Sequence, residues 1–156
     1  SYLLFYTLKE LSKTDPECAL SLLKDYECRQ LDRGATTFFE DYDVSWEQNA
    51  GDILSLSTNE DIHGDRGDYC YKGFRHSLCH GWASGAVPFL AECVAGIEIA
   101  EPGCKKIRIS PKMCGLDFIK VSYPTPLGIL KAEIRRSGNG FSTEYSAPEG
   151  MTVEIV

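Results

Sequence analysis

The chain has 156 residues, 43% of them hydrophobic and 25% charged, a composition that excludes a disordered tail, a collagen and a coiled coil. No run of about eighteen apolar residues occurs, so neither a transmembrane helix nor a membrane partner is expected. The net charge of −7, from 23 acidic against 16 basic residues, argues against nucleic-acid binding driven by counterion release. The acid is concentrated: residues 40–68 hold nine Asp or Glu against Arg66 alone, a net −8 that leaves +1 for the remainder.

The chain enters at once into an apolar stretch, Tyr2-Leu3-Leu4-Phe5-Tyr6, and is expected to be a segment of a longer protein. Leu4, Leu8 and Leu11 fall on one face at helical spacing, which predicts a helix over 2–12. Asp15-Pro16-Glu17 is a helix start, with Asp15 as cap, Pro16 in the first turn and Glu17 facing the positive dipole end. The second helix runs to about Arg33, with Ala19, Leu22, Leu23 and Tyr26 inward, and Gly34 ends it. Together they predict a helical hairpin.

Residues 34–47 interleave aromatics and carboxylates without a clear period. Residues 48–73, polar and glycine-rich, read as a long loop, which in a compact domain usually carries function. Residues 76–96 read as a further helix, kinked or turned at Pro88 and ended by Gly96. Beyond Ile97 the period changes to two, at 106–109, 119–123, 130–134, 141–145 and 151–156, with Pro- and Gly-rich turns between. The expectation is an α+β (mixed) chain: helices over 1–96, then five short antiparallel strands over 97–156 forming half of a sandwich.

Seven cysteines (18, 28, 70, 79, 93, 104, 114) form no CxxC pair, and their odd number forbids a fully paired disulfide framework. Free, mostly buried thiols in a reducing compartment, hence a cytoplasmic location, are expected, with a periplasmic or secreted parent as the alternative. Cys70, His76, Cys79 and His80 cluster in sequence, but Cys79 and His80 are adjacent and diverge in any regular element, so no metal site is expected. Arg66-Gly67-Asp68 matches an adhesion tripeptide that loop composition also explains. A cysteine nucleophile working with His80 lacks any recognisable oxyanion donor or orienting residue.

Two residues stand out for chemistry. Glu40 follows Phe38 and Phe39 and precedes Asp41 and Asp43. Apolar flanks and neighbouring carboxylates favour the protonated form of a carboxyl, which is how a glutamate is tuned for general acid–base work. Trp46 nearby offers a stacking face for a sugar. The plain alternative is a solvated acidic loop whose phenylalanines plug the core. His80, in Ser77-Leu78-Cys79-His80-Gly81-Trp82, is placed at a helix start, where Gly81 leaves room for a ligand and Trp82 supplies a wall. A capping or core histidine beside a core tryptophan reads equally well.

The segments Gly34-Ala35-Thr36-Thr37-Phe38-Phe39-Glu40, Cys79-His80-Gly81-Trp82-Ala83-Ser84-Gly85 and Tyr123-Pro124-Thr125-Pro126-Leu127-Gly128, with Pro102-Gly103 and Ile107-Arg108-Ile109-Ser110-Pro111, resemble, in order, the C-terminal end of the α-L-rhamnosidases of glycoside hydrolase family 78. The resemblance implies the last helices of an incomplete (α/α)6 toroid followed by an antiparallel β-sandwich. It implies Glu40 as the general base of inverting hydrolysis and His80 as a rhamnose contact; Phe39, Trp46 and Trp82 are read as walls of the sugar site from their chemistry. The implied partner is a rhamnose-containing glycoside, and no cofactor or metal is called for. Nothing in the chain matches the family's upstream acid motif, so the base half of the site is expected without the acid half, and the isolated segment is expected to be inactive. Phe39 stands where the family has Trp, losing an indole donor, and Ala86 where it often has Pro. The alternative is a non-catalytic carbohydrate-binding or protein-interaction module. Exposed helices with no toroid to cover them are expected to self-associate.

Overall fold

The computed structural model describes residues 2–40, 42–43, 77–138 and 140–156. The expected helices are present as α1 (Leu4–Thr14) and α2 (Pro16–Asp32). Asp15 alone links them. Its N–H closes α1 onto the Leu11 carbonyl at 2.8 Å, and its carboxylate accepts the Cys18 N–H at 2.9 Å. One residue therefore ends one helix and caps the next, as the Asp-Pro-Glu signal demands. On α1 it is Leu8 that is fully buried. On α2 the inward residues are Ala19, Leu20 and Leu23, while Leu22, expected inside, is exposed.

Gly34 stops α2 at φ 84°. Its N–H bonds the Leu31 carbonyl at 2.9 Å, and the Ala35 N–H reaches back to Gln30 at 3.1 Å. This double closure is a Schellman stop, available at low cost only to glycine.

The helix expected over 76–96 is instead broken into pieces. A 3-10 turn at Gly81–Ala83 is followed by a short helix α3 (Ala86–Phe89) and a π-helical turn at Leu90–Val94. Gly81, Gly85 and Pro88 crowd this stretch, so no uninterrupted set of helical hydrogen bonds is favoured. Gly96 ends it as expected, at φ 73°.

Among the described residues six strands follow, one more than expected: β1 (Ile97–Ile99), β2 (Lys106–Ile109), β3 (Phe118–Thr125), β4 (Gly128–Ser137), β5 (Gly140–Ser146) and β6 (Thr152–Ile155). They form two three-stranded sheets, β1-β2-β6 and β3-β4-β5. The second is an antiparallel meander in which Ile119 pairs with Ile134 and Ile134 with Thr143. In the first, β6 runs parallel to β2, with Ile107 opposite Val153. That departs from an all-antiparallel expectation. Alternation along a strand sets which face is buried but carries no information on the direction of its neighbour. Both sheets contribute to one core: Ile107 and Ile109 from β2 and Leu130, Ala132 and Ile134 from β4, joined by Ala95, Ile97 and Cys104. The period-two pattern is thus what burial follows.

Two compact units are distinguished. One draws on Ser1–Leu8 and Ser21–Ala86, the other on Lys9–Leu20 and Val87–Val156. In the second, the Lys112 ammonium donates to the Ser12 carbonyl at 2.6 Å, and Lys9 pairs with Glu92 at 2.9 Å. That hydrogen bond raises the pKa of Lys9 above its ordinary value. Among the described cysteines Cys18, Cys28 and Cys79 are exposed and only Cys104 is buried, so the expectation of mostly buried thiols is corrected.

Gly96 is the tightest corner of the second unit. A methyl group there would sit 1.9 Å from the Ser110 carbonyl oxygen, while the Ser110 N–H bonds the Gly96 carbonyl at 3.0 Å. Gly96→Ala adds left-handed backbone strain to a backbone clash, and should cost about 2–5 kcal/mol. Urea denaturation followed by circular dichroism checks this. A midpoint equal to that of the wild type would show that the corner can yield.

Candidate functional site

The Gly34 stop sends the chain into Ala35, Phe39 and Tyr42, which are buried together with Tyr26 and Leu78 packed against them. Phe39 is 1% exposed, and its N–H is directed at the side-chain oxygen of Gln30, itself buried, at 3.4 Å. Burial pushes the neighbouring Glu27 carboxyl up. Phe39 is therefore an interior anchor beneath the site and not a surface wall. Glu40, next in sequence, turns outward from that anchor.

Two backbone bonds then join this segment to a distant one. The Glu40 N–H donates to the Ser77 carbonyl at 2.8 Å, and the His80 N–H to the Phe38 carbonyl at 2.9 Å. The Thr37 hydroxyl adds a bond to the Leu78 carbonyl. The segments run antiparallel, so the side chains of Glu40 and His80 come together. Glu40 Oε2 accepts the Ser77 N–H at 3.2 Å and lies 4.0 Å from His80 Nδ1. The two side chains retain 17% and 26% of their exposure, sheltered yet reachable by water.

Trp82 completes the group. Its ring packs on His80 at 4.2 Å between centroids, tilted by 48°, and its indole N–H is directed at the Glu40 carbonyl at 3.4 Å. More than half of its surface is exposed. His80 has extended backbone and precedes a turn of only three residues, so its position owes nothing to a helix dipole, contrary to the sequence expectation. The backbone pairing places it.

Of the expected site residues, Glu40, His80 and Trp82 converge and Phe39 lies below them. Trp46 lies outside the described residues, as do Asp41, Cys70, His76, Arg66-Gly67-Asp68 and most of the acidic segment. Among the described residues no cluster of three potential metal ligands occurs, and no helix is long and apolar enough to cross a membrane. Sequence reasoning missed Ser77, which acts through its backbone N–H and so leaves no side-chain signature. It also missed Tyr2, whose ring meets Trp82 edge-on at 5.8 Å.

A carboxylate held by a backbone N–H beside an imidazole and an exposed indole is a set of groups suited to a polar, ring-shaped ligand. Residues 96–156 match the family described as the bacterial alpha-L-rhamnosidase C-terminal domain. Over 99% of its length the chain is similar in fold to the crystal structure of a GH78 family rhamnosidase of Bacillus sp. GL1, with a TM-score of 0.73 and 20% sequence identity. The chain spans about 15% of the length of that rhamnosidase. No curated protein matches the sequence. The chain thus resembles the C-terminal part of a family 78 α-L-rhamnosidase, in family over residues 96–156 and in fold along its length.

Two glycines of the site segment differ sharply in surroundings. A methyl group at Gly85 would lie 2.6 Å from Phe5 Cβ, whereas at Gly81 it would meet no described atom within 4 Å. Gly85→Ala should therefore destabilise the first unit by about 1–3 kcal/mol, while Gly81→Ala stays within about 0.5 kcal/mol. Denaturation of both variants monitored by tryptophan fluorescence checks the contrast, and equal effects would contradict the packing described.

Proposed function

We propose that the chain is the C-terminal part of an inverting α-L-rhamnosidase, and that it carries the general base of the reaction but not the general acid. In this reading the helices of residues 1–96 close an (α/α)6 toroid and residues 97–156 form a β-sandwich. The observation that carries it is the convergence of Glu40, His80 and Trp82. Support comes from the fold likeness to a GH78 rhamnosidase and from the two sheets that share one core.

Glu40 takes a proton from water as that water attacks the anomeric carbon of the rhamnoside. The Ser77 N–H bond orients the carboxylate. His80 binds the sugar through its imidazole, and Trp82 holds both in place while offering its exposed face. The acid that protonates the leaving oxygen comes from another part of the protein. In an inverting glycosidase the two carboxyls stand about 6.5–9.5 Å apart, with the water between base and sugar.

The test is Glu40→Gln in the full-length protein that contains this segment. Hydrolysis of a chromogenic aryl α-L-rhamnoside should fall by roughly three orders of magnitude or more in kcat with KM little changed, as for loss of a group acting only in the transition state. Near-normal turnover would reject the assignment. Calorimetric binding of rhamnosides by a wild-type protein that hydrolyses none of them would favour the non-catalytic module instead.

A further inference from the structure

Gln30 stands on the last turn of α2, in the same compact unit as Glu40 and His80. Its backbone carbonyl accepts the Arg33 N–H at 3.0 Å and the Ala35 N–H at 3.1 Å. Two bonds to one carbonyl fix the main chain of Gln30 at the root of the segment that carries Glu40. The residue is 3% exposed, and any further chain around it can only bury it more. Its amide nitrogen is directed at the Tyr26 carbonyl at 3.5 Å and at Glu27 Oε2 at 3.4 Å. Its amide oxygen faces the Phe39 N–H at 3.4 Å. A carbonyl accepts and a backbone N–H donates, so Tyr26 and Phe39 together leave the amide one workable orientation.

The Phe39 N–H and the Phe38 carbonyl belong to one planar peptide unit and point in opposite directions from it. That carbonyl accepts the His80 N–H at 2.9 Å. Gln30 therefore holds one edge of the plane and His80 the other. Rotation of the plane would carry the carbonyl away from His80. It would also turn Glu40, whose own N–H is committed to the Ser77 carbonyl at 2.8 Å. We propose that Gln30 is a positioning residue: by holding the Phe38–Phe39 peptide, it sets the 4.0 Å approach of Glu40 to His80. The geometric role stands whatever ligand binds, whereas its effect on turnover rests on the proposed function. Gln30 takes no part in proton transfer.

The experiment compares Gln30→Met and Gln30→Glu in the full-length protein, on a chromogenic aryl α-L-rhamnoside. Methionine has a similar length but no strong acceptor. Burial favours the neutral acid, so glutamate still offers a carbonyl oxygen at the same reach. Gln30→Met should lower kcat roughly ten- to a hundredfold with KM within about twofold, as for a misplaced catalytic group. Gln30→Glu should stay within about threefold of the wild type, because it keeps the acceptor. Should Gln30→Met not fold, Gln30→Asn, one methylene too short to span the gap, replaces it with the same expected loss. The geometry is read separately by hydrogen exchange. Gln30→Met should speed exchange at the Glu40 and His80 amides by roughly threefold or more, while Leu23, in mid-α2, keeps its wild-type rate. General destabilisation would speed all three. Unchanged kcat in Gln30→Met, an equal loss in Gln30→Glu, or unaltered exchange at Glu40 and His80 overturns the inference. A wild-type protein that hydrolyses no rhamnoside sinks the rhamnosidase reading, and the exchange contrast then decides the role of Gln30 alone.

Discussion

The pairing of Phe38 and Glu40 with His80 and Ser77 is the contact on which the site depends. Its two backbone bonds join positions 37 and 42 residues apart. Each bond adds only about 1 kcal/mol net, yet together they fix direction and register. In an antiparallel pair, register decides which side chains share a face. Without it Glu40 is a carboxylate in an acidic stretch and His80 a surface imidazole. With it they stand 4.0 Å apart at closest approach, beneath the edge of an exposed indole.

What holds that pairing is mostly apolar and lies on its inner side. Phe39 alternates with Glu40 and is driven inward, so burying the one side chain turns the other outward. The Gly34 stop sets the point from which the strand-like segment departs, and Gln30 on the last turn of α2 engages the Phe39 N–H. The second unit follows a similar logic at Gly96, where a left-handed glycine lets Ser110 approach and starts β1 against β2. Glycine is needed at both corners for different reasons, a carbonyl closure at Gly34 and a backbone approach at Gly96.

Much of this is legible in the sequence because the forces are local. Asp15-Pro16 and Gly34 mark helix ends through hydrogen bonds within a few residues. The strands from Lys106 onward declare themselves by alternation, and Ile107, Ile109, Leu130 and Ile134 are buried as that pattern demands. The parallel partnership of β2 and β6 is not legible, since it joins Ile107 to Val153 across the whole meander. The segment at 76–96 misleads because small apolar residues suit a helix, whereas the glycines and Pro88 decide for a succession of turns. Within the site, Glu40 and His80 are readable as separate motifs. Their proximity is a property of the fold, as is the contact of Tyr2 with Trp82.

The same separation applies to function. The local chemistry lies within the described residues of one compact unit, whereas the family match lies in residues 96–156. In the proposed reading Glu40 is the base half of an inverting site whose acid lies elsewhere in the protein, and its geometry has meaning only against a bound sugar. The most direct measurement is a crystal structure of the full-length protein with rhamnose bound. The account predicts the sugar against His80 and Trp82, with a water bridging Glu40 to the anomeric carbon and a second carboxyl about 6.5–9.5 Å from Glu40. Rhamnose bound at a site that does not include Glu40 would contradict it.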